Sequence, residues 1–377
     1  MSNIKHYGWE VSPYTAKTRS YLRFKNIPFR DIVPSIRMLT GKIERDVGQM
    51  IMPVIYDDQK PLSDSTEIIE YFEFKYPSSP VKPNTPKQAL TALFLELYAD
   101  EWMPLAALHY RWNYEQNRPF ILNEFGRSAL PWFPKFIQRI AAKSVGGKMS
   151  GYLPILGISQ RMQQPLEDNT ESTMAVLDKH LQSHKFILGE RPSLADFSLF
   201  GPLWAHLDRD PYPEDLVAKH THLKSWVERM KSNFEHHRDG HLLSNDEVPI
   251  TLEPMLEIIG QTILPLIKQS SEAIKTWAAE HPGAEKLPRK IGKATLNING
   301  QEEQRLNLTY PYWMFQRIHQ TFENLEEPVR SQILTWLDGI CAEYRLLLQN
   351  PLPVKVTLHR CRLWLKKTDK NQASNAA

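Results

Sequence analysis

The 377-residue sequence predicts a three-part chain: a small α/β unit, an all-helical domain, and a mostly helical extension with one β-hairpin. Three observations predict this order. Short apolar runs alternate with amphipathic helical segments over residues 1–80. Apolar residues then recur at helical spacing, with no convincing strand, over residues 85–235. In residues 236–377 the helical pattern returns but is interrupted around Asn299-Gly300, a dipeptide that favours a tight hairpin turn.

In the first part, Ile4 to Trp9 reads as a buried strand. Tyr14, Thr18, Tyr21, Leu22 and Lys25 follow at helical spacing, and Asn26 before Ile27-Pro28 is a stop. Ser12 then stands as N-cap and Pro13 in the first turn, where its missing N–H costs nothing. Phe29–Val33 and Pro53–Tyr56 read as strands. Asp57–Lys60 is a turn, Pro61-Leu62 a short strand, and a helix starts at about Thr66. Tyr76 to Pro83 is a linker by composition. The helical domain opens at Thr85-Pro86 with a stripe of Leu90, Phe94, Leu97, Tyr98, Trp102 and Leu105, kinked at Pro104. Residues 116–165, which hold Pro119, Pro131, Pro134 and the pair Gly146-Gly147, read as short helices and loops. In the extension, residues 252–280 and 311–348 read as helical. Residues 294–308 form the hairpin, Val354–Trp364 is a strand, and the polar tail from Lys366 is expected to be disordered.

Composition narrows the function. A net charge of +3 leaves no global footprint of a nucleic-acid binder. No run reads as apolar over the roughly 18 residues a bilayer span needs, and the N-terminus lacks the apolar core of a signal peptide. Two cysteines, Cys341 and Cys361, point to a reducing compartment and a cytoplasmic location. His236-His237 and His241 lack a second cluster at ligand spacing, so no metal site is expected.

Three features of the first part carry chemistry. Ser12-Pro13-Tyr14 opens a helix, where free N–H groups and the dipole favour an anion such as a thiolate. Met52-Pro53, a candidate cis peptide, turns the Met52 backbone toward a peptide-like ligand. Asp64-Ser65-Thr66 opens the next helix and suits a carboxylate. In the helical domain, Ser193-Leu194-Ala195-Asp196 after Phe186-Ile187-Leu188-Gly189 has capping-box spacing.

In this order the motifs resemble the glutathione transferases over about residues 3–235. The resemblance implies a thioredoxin-like first domain (1–80), the family's all-helical domain (85–235), and an extension (236–377) with no counterpart in common members. It implies glutathione as co-substrate and a homodimer. Ser12 would hold the thiol, with Tyr7 as the alternative donor. Tyr14, Gln49, Met52, Pro53, Asp64 and Ser65 would surround the tripeptide, and Tyr98, Trp102 and Tyr110 would line the site of a small hydrophobic electrophile. Ser193 and Asp196 would be structural. Where relatives often carry Lys or His a few residues before the cis-proline, this chain has Gln49 and Met50. The rival expectation is a non-catalytic binding or scaffold protein on the same fold, working through residues 236–377.

Overall fold

A computed structural model of the protein describes residues 3–366. The first domain runs β1 (Ile4–Tyr7), α1 (Pro13–Phe24), β2 (Arg30–Ile32), α2 (Ile36–Met38), α3 (Glu44–Val47), β3 (Val54–Asp57), β4 (Lys60–Ser63) and α4 (Ser65–Lys75). Its sheet has the order β2-β1-β3-β4. β1 pairs parallel with β2 and antiparallel with β3, and β3 pairs antiparallel with β4. This is the thioredoxin-like arrangement. Val54, Ile55 and Tyr56 are buried, as expected of a central strand covered on both faces. The short helices α2 and α3 have no counterpart in the sequence periodicity.

The helical domain holds α5 (Pro86–Leu97), α6 (Met103–Asn113), α7 (Arg118–Ala129), α8 (Lys135–Ser150), α9 (Gln163–Leu181), α10 (Leu194–Pro202) and α11 (Thr221–Lys231). A wide turn at Tyr98–Trp102 separates α5 from α6, and Pro104 sits in the first turn of α6, where it is tolerated. Most of the segment read as short helices and loops is instead the pair α7 and α8, of 12 and 16 residues; short helical turns at Pro154–Leu156 and Gln160–Met162, with loops, follow them as expected. Gly146-Gly147, taken for a breaker, lies inside α8. A Cβ at Gly146 would sit 2.9 Å from Leu122, and one at Gly126 would sit 2.8 Å from the Gln138 carbonyl oxygen. These glycines serve the close approach of two helices rather than a turn.

At the start of α10 the capping box forms. Asp196 is fully buried. Its Oδ2 accepts from the Ser193 N–H and hydroxyl, each at 2.8 Å. Its Oδ1 accepts from the Ile187 N–H (2.9 Å) and Trp226 Nε1 (3.0 Å). One carboxylate thus closes the helix start and holds two neighbouring segments to it.

The extension contains α12 (Glu253–Glu280), β5 (Lys290–Ile298), β6 (Gln301–Leu308), α13 (Tyr310–Glu323), α14 (Glu327–Asp338), α15 (Glu343–Gln349), β7 (Val356–His359) and β8 (Arg362–Leu365). The Asn299-Gly300 turn has both residues at positive φ, 52° and 82°, as the two-residue hairpin requires. Two expectations need correction. Val354–Trp364 is not one strand but the hairpin β7–β8, turning at Arg360-Cys361, both at positive φ. Neither residue is a turn former, so the sequence carries no signal for it. Residues 250–280 are long and apolar enough, by length and composition, to cross a bilayer. Half of the most apolar stretch is buried inside the protein, with Ile259, Ile263, Leu264 and Ile267 in the core. The expected disordered tail lies, from residue 367, outside the described residues.

A buried ion network joins the three parts. Lys17 of α1 is fully buried and donates to Glu96 Oε1 (2.7 Å) and Asp100 Oδ2 (2.6 Å). Arg317 of α13 donates to Glu96 Oε2 (2.6 Å) and Glu70 Oε1 (2.8 Å). Burial alone would raise the Glu96 carboxyl. The charges of Arg317 and Lys17, with their hydrogen bonds, outweigh it and hold that group well below the usual carboxylate range.

Two stability outcomes are expected. Asp196→Ala strands buried donors on Ser193, Ile187 and Trp226 and loses about 3 kcal/mol or more, seen as a lower urea midpoint; an unchanged midpoint contradicts the structural role. Glu96→Gln leaves Arg317 and Lys17 short of charge and costs about 3–5 kcal/mol. Because Glu96 titrates below its ordinary value of 4.5, its stabilisation is complete above that pH and is lost as pH falls below it. An acid titration followed by tryptophan fluorescence should show a steeper loss in the parent than in the Gln variant.

Candidate functional site

The N-terminus of α1 is positioned by the end of β1. Gly8 N donates to the Ile32 carbonyl at 3.1 Å. A Cβ at Gly8 would stand 2.2 Å from Thr15, so only glycine lets the helix start this close to the strand. Ser12 is the N-cap, with φ −93° and ψ 121°, and its Oγ accepts from the Thr15 N–H at 3.3 Å. The side chain is half-buried. Its hydroxyl proton has no acceptor among the described residues, so it is free to donate outward. Tyr14 donates to the Asp100 carbonyl at 2.9 Å, which fixes it to the helical domain. Tyr7 is buried edge-on against Tyr56, ring centroids 5.5 Å apart, and its hydroxyl forms no hydrogen bond among the described residues.

The Met52-Pro53 peptide is cis. Pro53 is buried and Met52 half-buried, directly before β3. Asp64, the N-cap of α4, has φ 75°, a conformation costing a non-glycine residue about 1–3 kcal/mol. Its Oδ1 accepts from the Thr66 and Glu67 N–H groups at 3.0 and 3.2 Å. The two backbone donors expected to face a ligand carboxylate are therefore taken by the chain's own cap. The hydroxyl of buried Ser65 makes no hydrogen bond to the described residues.

The extension reaches this same end of the domain. Tyr310 donates to Asp64 Oδ2 at 2.5 Å. Burial pushes the Asp64 carboxyl up, opposed by the bond from Tyr310, the Glu67 N–H, the charge of Lys17 and the Thr66 N–H. Gln49, expected to serve the ligand, instead donates its side-chain amide to the Cys361 carbonyl at 2.7 Å. Cys361 Sγ lies 3.3 Å from Ser63 Oγ, and Arg360 donates to the Arg45 carbonyl at 2.9 Å. Burial pushes the Cys361 thiol up and the nearby Asp64 charge adds to it, against the Ser63 bond and the charge of Arg289.

Between the two surfaces lies a cavity of about 260 Å³. Gln49, Ile51 and Asp64 of the first domain form one side. Arg289, Tyr310, Cys361 and Arg362 of the extension are on the other. Ser12, Tyr7 and Tyr14 are not among its walls. The structure thus brings Gln49 and Asp64 together on one cavity and leaves Ser12 on a separate helix mouth. No group of three or more potential metal ligands occurs among the described residues.

The three aromatics expected at a hydrophobic cleft are core. Tyr98, Trp102 and Tyr110 are 1%, 2% and 5% exposed. The Tyr98 hydroxyl bonds Thr173 Oγ1 at 2.7 Å, and Trp102 Nε1 donates to Asn169 Oδ1 at 2.9 Å. Tyr110 stacks on Tyr114. Tyr98 and Trp102 face α9, whose polar side chains satisfy their heads inside the domain. Tyr310, Arg289, Arg362 and Cys361 carried no local signal; only the folded extension brings them to the first domain.

Comparison with known proteins finds two matching family domains. The glutathione S-transferase N-terminal domain matches residues 7–80, and the C-terminal domain of the same family matches residues 159–229. The isoprene-epoxide glutathione S-transferase of Rhodococcus sp. strain AD45 is 23% identical over 235 residues, 60% of this chain and 94% of that protein. Glutathione S-transferase U7 of Arabidopsis thaliana is 23% identical over 154 residues, 41% of this chain and 66%, just under two thirds, of that relative. Among solved structures, a beta-etherase from Sphingobium sp. strain SYK-6 is 18% identical, with a TM-score of 0.44 over 62% of this chain and 99% of that one. Residues 230–377 lie beyond both domain matches. Both domains of the glutathione S-transferase family thus match this chain, in the family's order.

Proposed function

We propose that the protein is a glutathione transferase that activates the glutathione thiol at the mouth of α1 for attack on a small hydrophobic electrophile. The tripeptide lies against the first domain. Its cysteinyl backbone runs along Met52 beside Pro53, and its γ-glutamyl end sits near Asp64 and Ser65. The observation that carries this reading is Ser12: half-buried, at a helix N-terminus, with a hydroxyl proton that no described residue accepts.

The chemistry follows from that placement. A free thiol titrates at about 8.5. A hydroxyl donor favours the thiolate over the thiol, and the helix terminus adds to it. Making the thiol tenfold more acidic requires about 1.4 kcal/mol, within the range of one hydrogen bond to a charged group, about 1.5–3 kcal/mol. The thiolate then attacks the electrophilic carbon: a C–S bond forms, and the bond to the leaving group or epoxide oxygen breaks. Serine forms no mixed disulfide, so Ser12 itself supports conjugation or cleavage rather than thiol–disulfide exchange.

The non-catalytic reading is favoured by one observation. The Gln49 amide is engaged by the Cys361 carbonyl, so the extension holds a donor that a ligand would use. The strained cap at Asp64 and the free Ser12 proton favour the enzyme. By family the active unit is a homodimer, which light scattering would read directly.

Ser12→Ala is expected to move the pH–rate profile for conjugation of an aryl halide toward higher pH and to cut turnover roughly tenfold near neutrality, the kinetic equivalent of about 1.4 kcal/mol. An unmoved profile counts against Ser12 and turns attention to Tyr7. Calorimetry with reduced glutathione is expected to show binding; no heat at millimolar ligand favours the scaffold reading.

A further inference from the structure

The cavity under the extension carries more positive charge than its surroundings neutralise. Arg289 precedes β5 and Arg362 opens β8; they come from separate parts of the extension and line one space. Neither guanidinium has a carboxylate partner or a side-chain hydrogen bond among the described residues, whereas Arg317 and Arg19 each meet two carboxylates. Arg317 is bonded to Glu70 and Glu96, and Arg19 to Glu10 and Asp31. The one carboxyl in the cavity wall, Asp64, is already held by Tyr310 and two backbone N–H groups. Two unpaired guanidinium groups and one saturated carboxyl in the walls of one cavity leave it suited to an anion with carboxylate groups. At about 260 Å³ the space is near the lower end of small-molecule sites, roughly 300–1,000 Å³. It fits a compact peptide-like acid whose carboxylates meet the arginines and whose chain lies on the aliphatic walls, Ile51, Leu287, Leu308, Leu358 and Leu363.

We propose that Arg289 and Arg362, both supplied by the extension, bind the carboxylates of the glutathione tripeptide in this cavity, so that the extension completes the ligand site. The inference rests on the glutathione reading above and assigns binding residues to it. It gives the extension a chemical task. Gln49, a neutral residue a few positions before the cis-proline, holds the β7–β8 turn through Cys361. That bond sets the turn immediately before Arg362 against the first domain. The cation that recognises the ligand then arrives from the far end of the chain rather than from the neighbouring loop.

The two arginines suit mutation because both are exposed and their side chains hold nothing else in place. The bond from the Thr309 N–H to the Arg289 carbonyl is a backbone bond that substitution keeps. The test is calorimetry of the full chain with reduced glutathione, comparing the parent with Arg289→Ala and Arg362→Ala. Circular dichroism checks that all three share one fold. Affinity is expected to fall about tenfold or more in each variant, and Arg→Lys at the same position should recover part of it. Cys361 supplies a second readout. Glutathione should slow its alkylation by iodoacetamide in the parent, quantified by mass spectrometry of the peptide, and should protect it less in the Ala variants. Glutathione binding that is equal in the parent and both variants overturns this assignment and leaves the glutathione reading standing. No binding to the parent overturns both.

Discussion

The structure depends on how one buried carboxylate divides its two oxygens. Glu96 of α5 accepts from Lys17 and Thr66 at Oε1 and from Arg317 at Oε2. Lys17 and Thr66 belong to the first domain, Glu96 to the helical domain and Arg317 to the extension. An isolated charge at this depth would be prohibitively expensive, and it is sustained only because cations from two other parts of the chain meet it. The cost of separating any one part is therefore not only its lost apolar contact. It includes leaving a charge buried without its partner.

That arrangement explains why residues 236–377 are structural rather than appended. Tyr344 is fully buried, with its hydroxyl on the Leu256 carbonyl, and its ring packs edge-on against Phe94 of α5. Gln316 of α13 bonds both backbone groups of Val356 and so carries the β7–β8 hairpin toward the first domain. Asp100 shows what the network costs. It shares Lys17 with Glu96, and burial together with the neighbouring Glu96 charge pushes its carboxyl up to about 7, with the Lys17 charge working against them. Glu96 has a second cation in Arg317 and stays ionised. The asymmetry between the two acids is set by that one extra arginine.

Much of the fold was legible because its signals are local. Pro13 after Ser12 marks a helix start, Asn299-Gly300 marks a hairpin, and Ser193 with Asp196 has the spacing of a reciprocal cap; each is decided within four residues. The misreadings share the opposite property. Gly146-Gly147 looks like a break, yet the role of Gly146 is set by Leu122 and Trp112 on other helices. Arg360-Cys361 turns the chain because Gln49, Ser63 and Arg45 hold it there, at separations of about three hundred residues. The aromatics Tyr98 and Trp102 repeat as a cleft-lining stripe would, but the polar partners that make them core, Asn169 and Thr173, are on α9. For the candidate site, the Ser12, Met52-Pro53 and Asp64-Ser65 segments could be marked from sequence. The chain that closes over Asp64 and Gln49 could not, because no local pattern tells which surface a distant hairpin will cover.

Asp64 joins the two halves of that problem. Its backbone sits at φ 75°, its Oδ1 caps α4, and its Oδ2 takes the Tyr310 hydroxyl. A strained residue persists only where its surroundings over-determine it, and here one of those surroundings is α13. The conformation of the site and the docking of the extension are therefore not independent equilibria. A ligand that draws on Asp64 or Gln49 changes the free energy with which the extension is held, and by linkage the state of the extension changes the ligand's affinity by the same factor. The rigidity contributed by the Glu96 network makes this coupling efficient. Arg317, the residue that locks α13 into the core, lies two helical turns from Tyr310, the residue that touches Asp64, so a displacement at one end of α13 is resisted at the other by a buried charge pair.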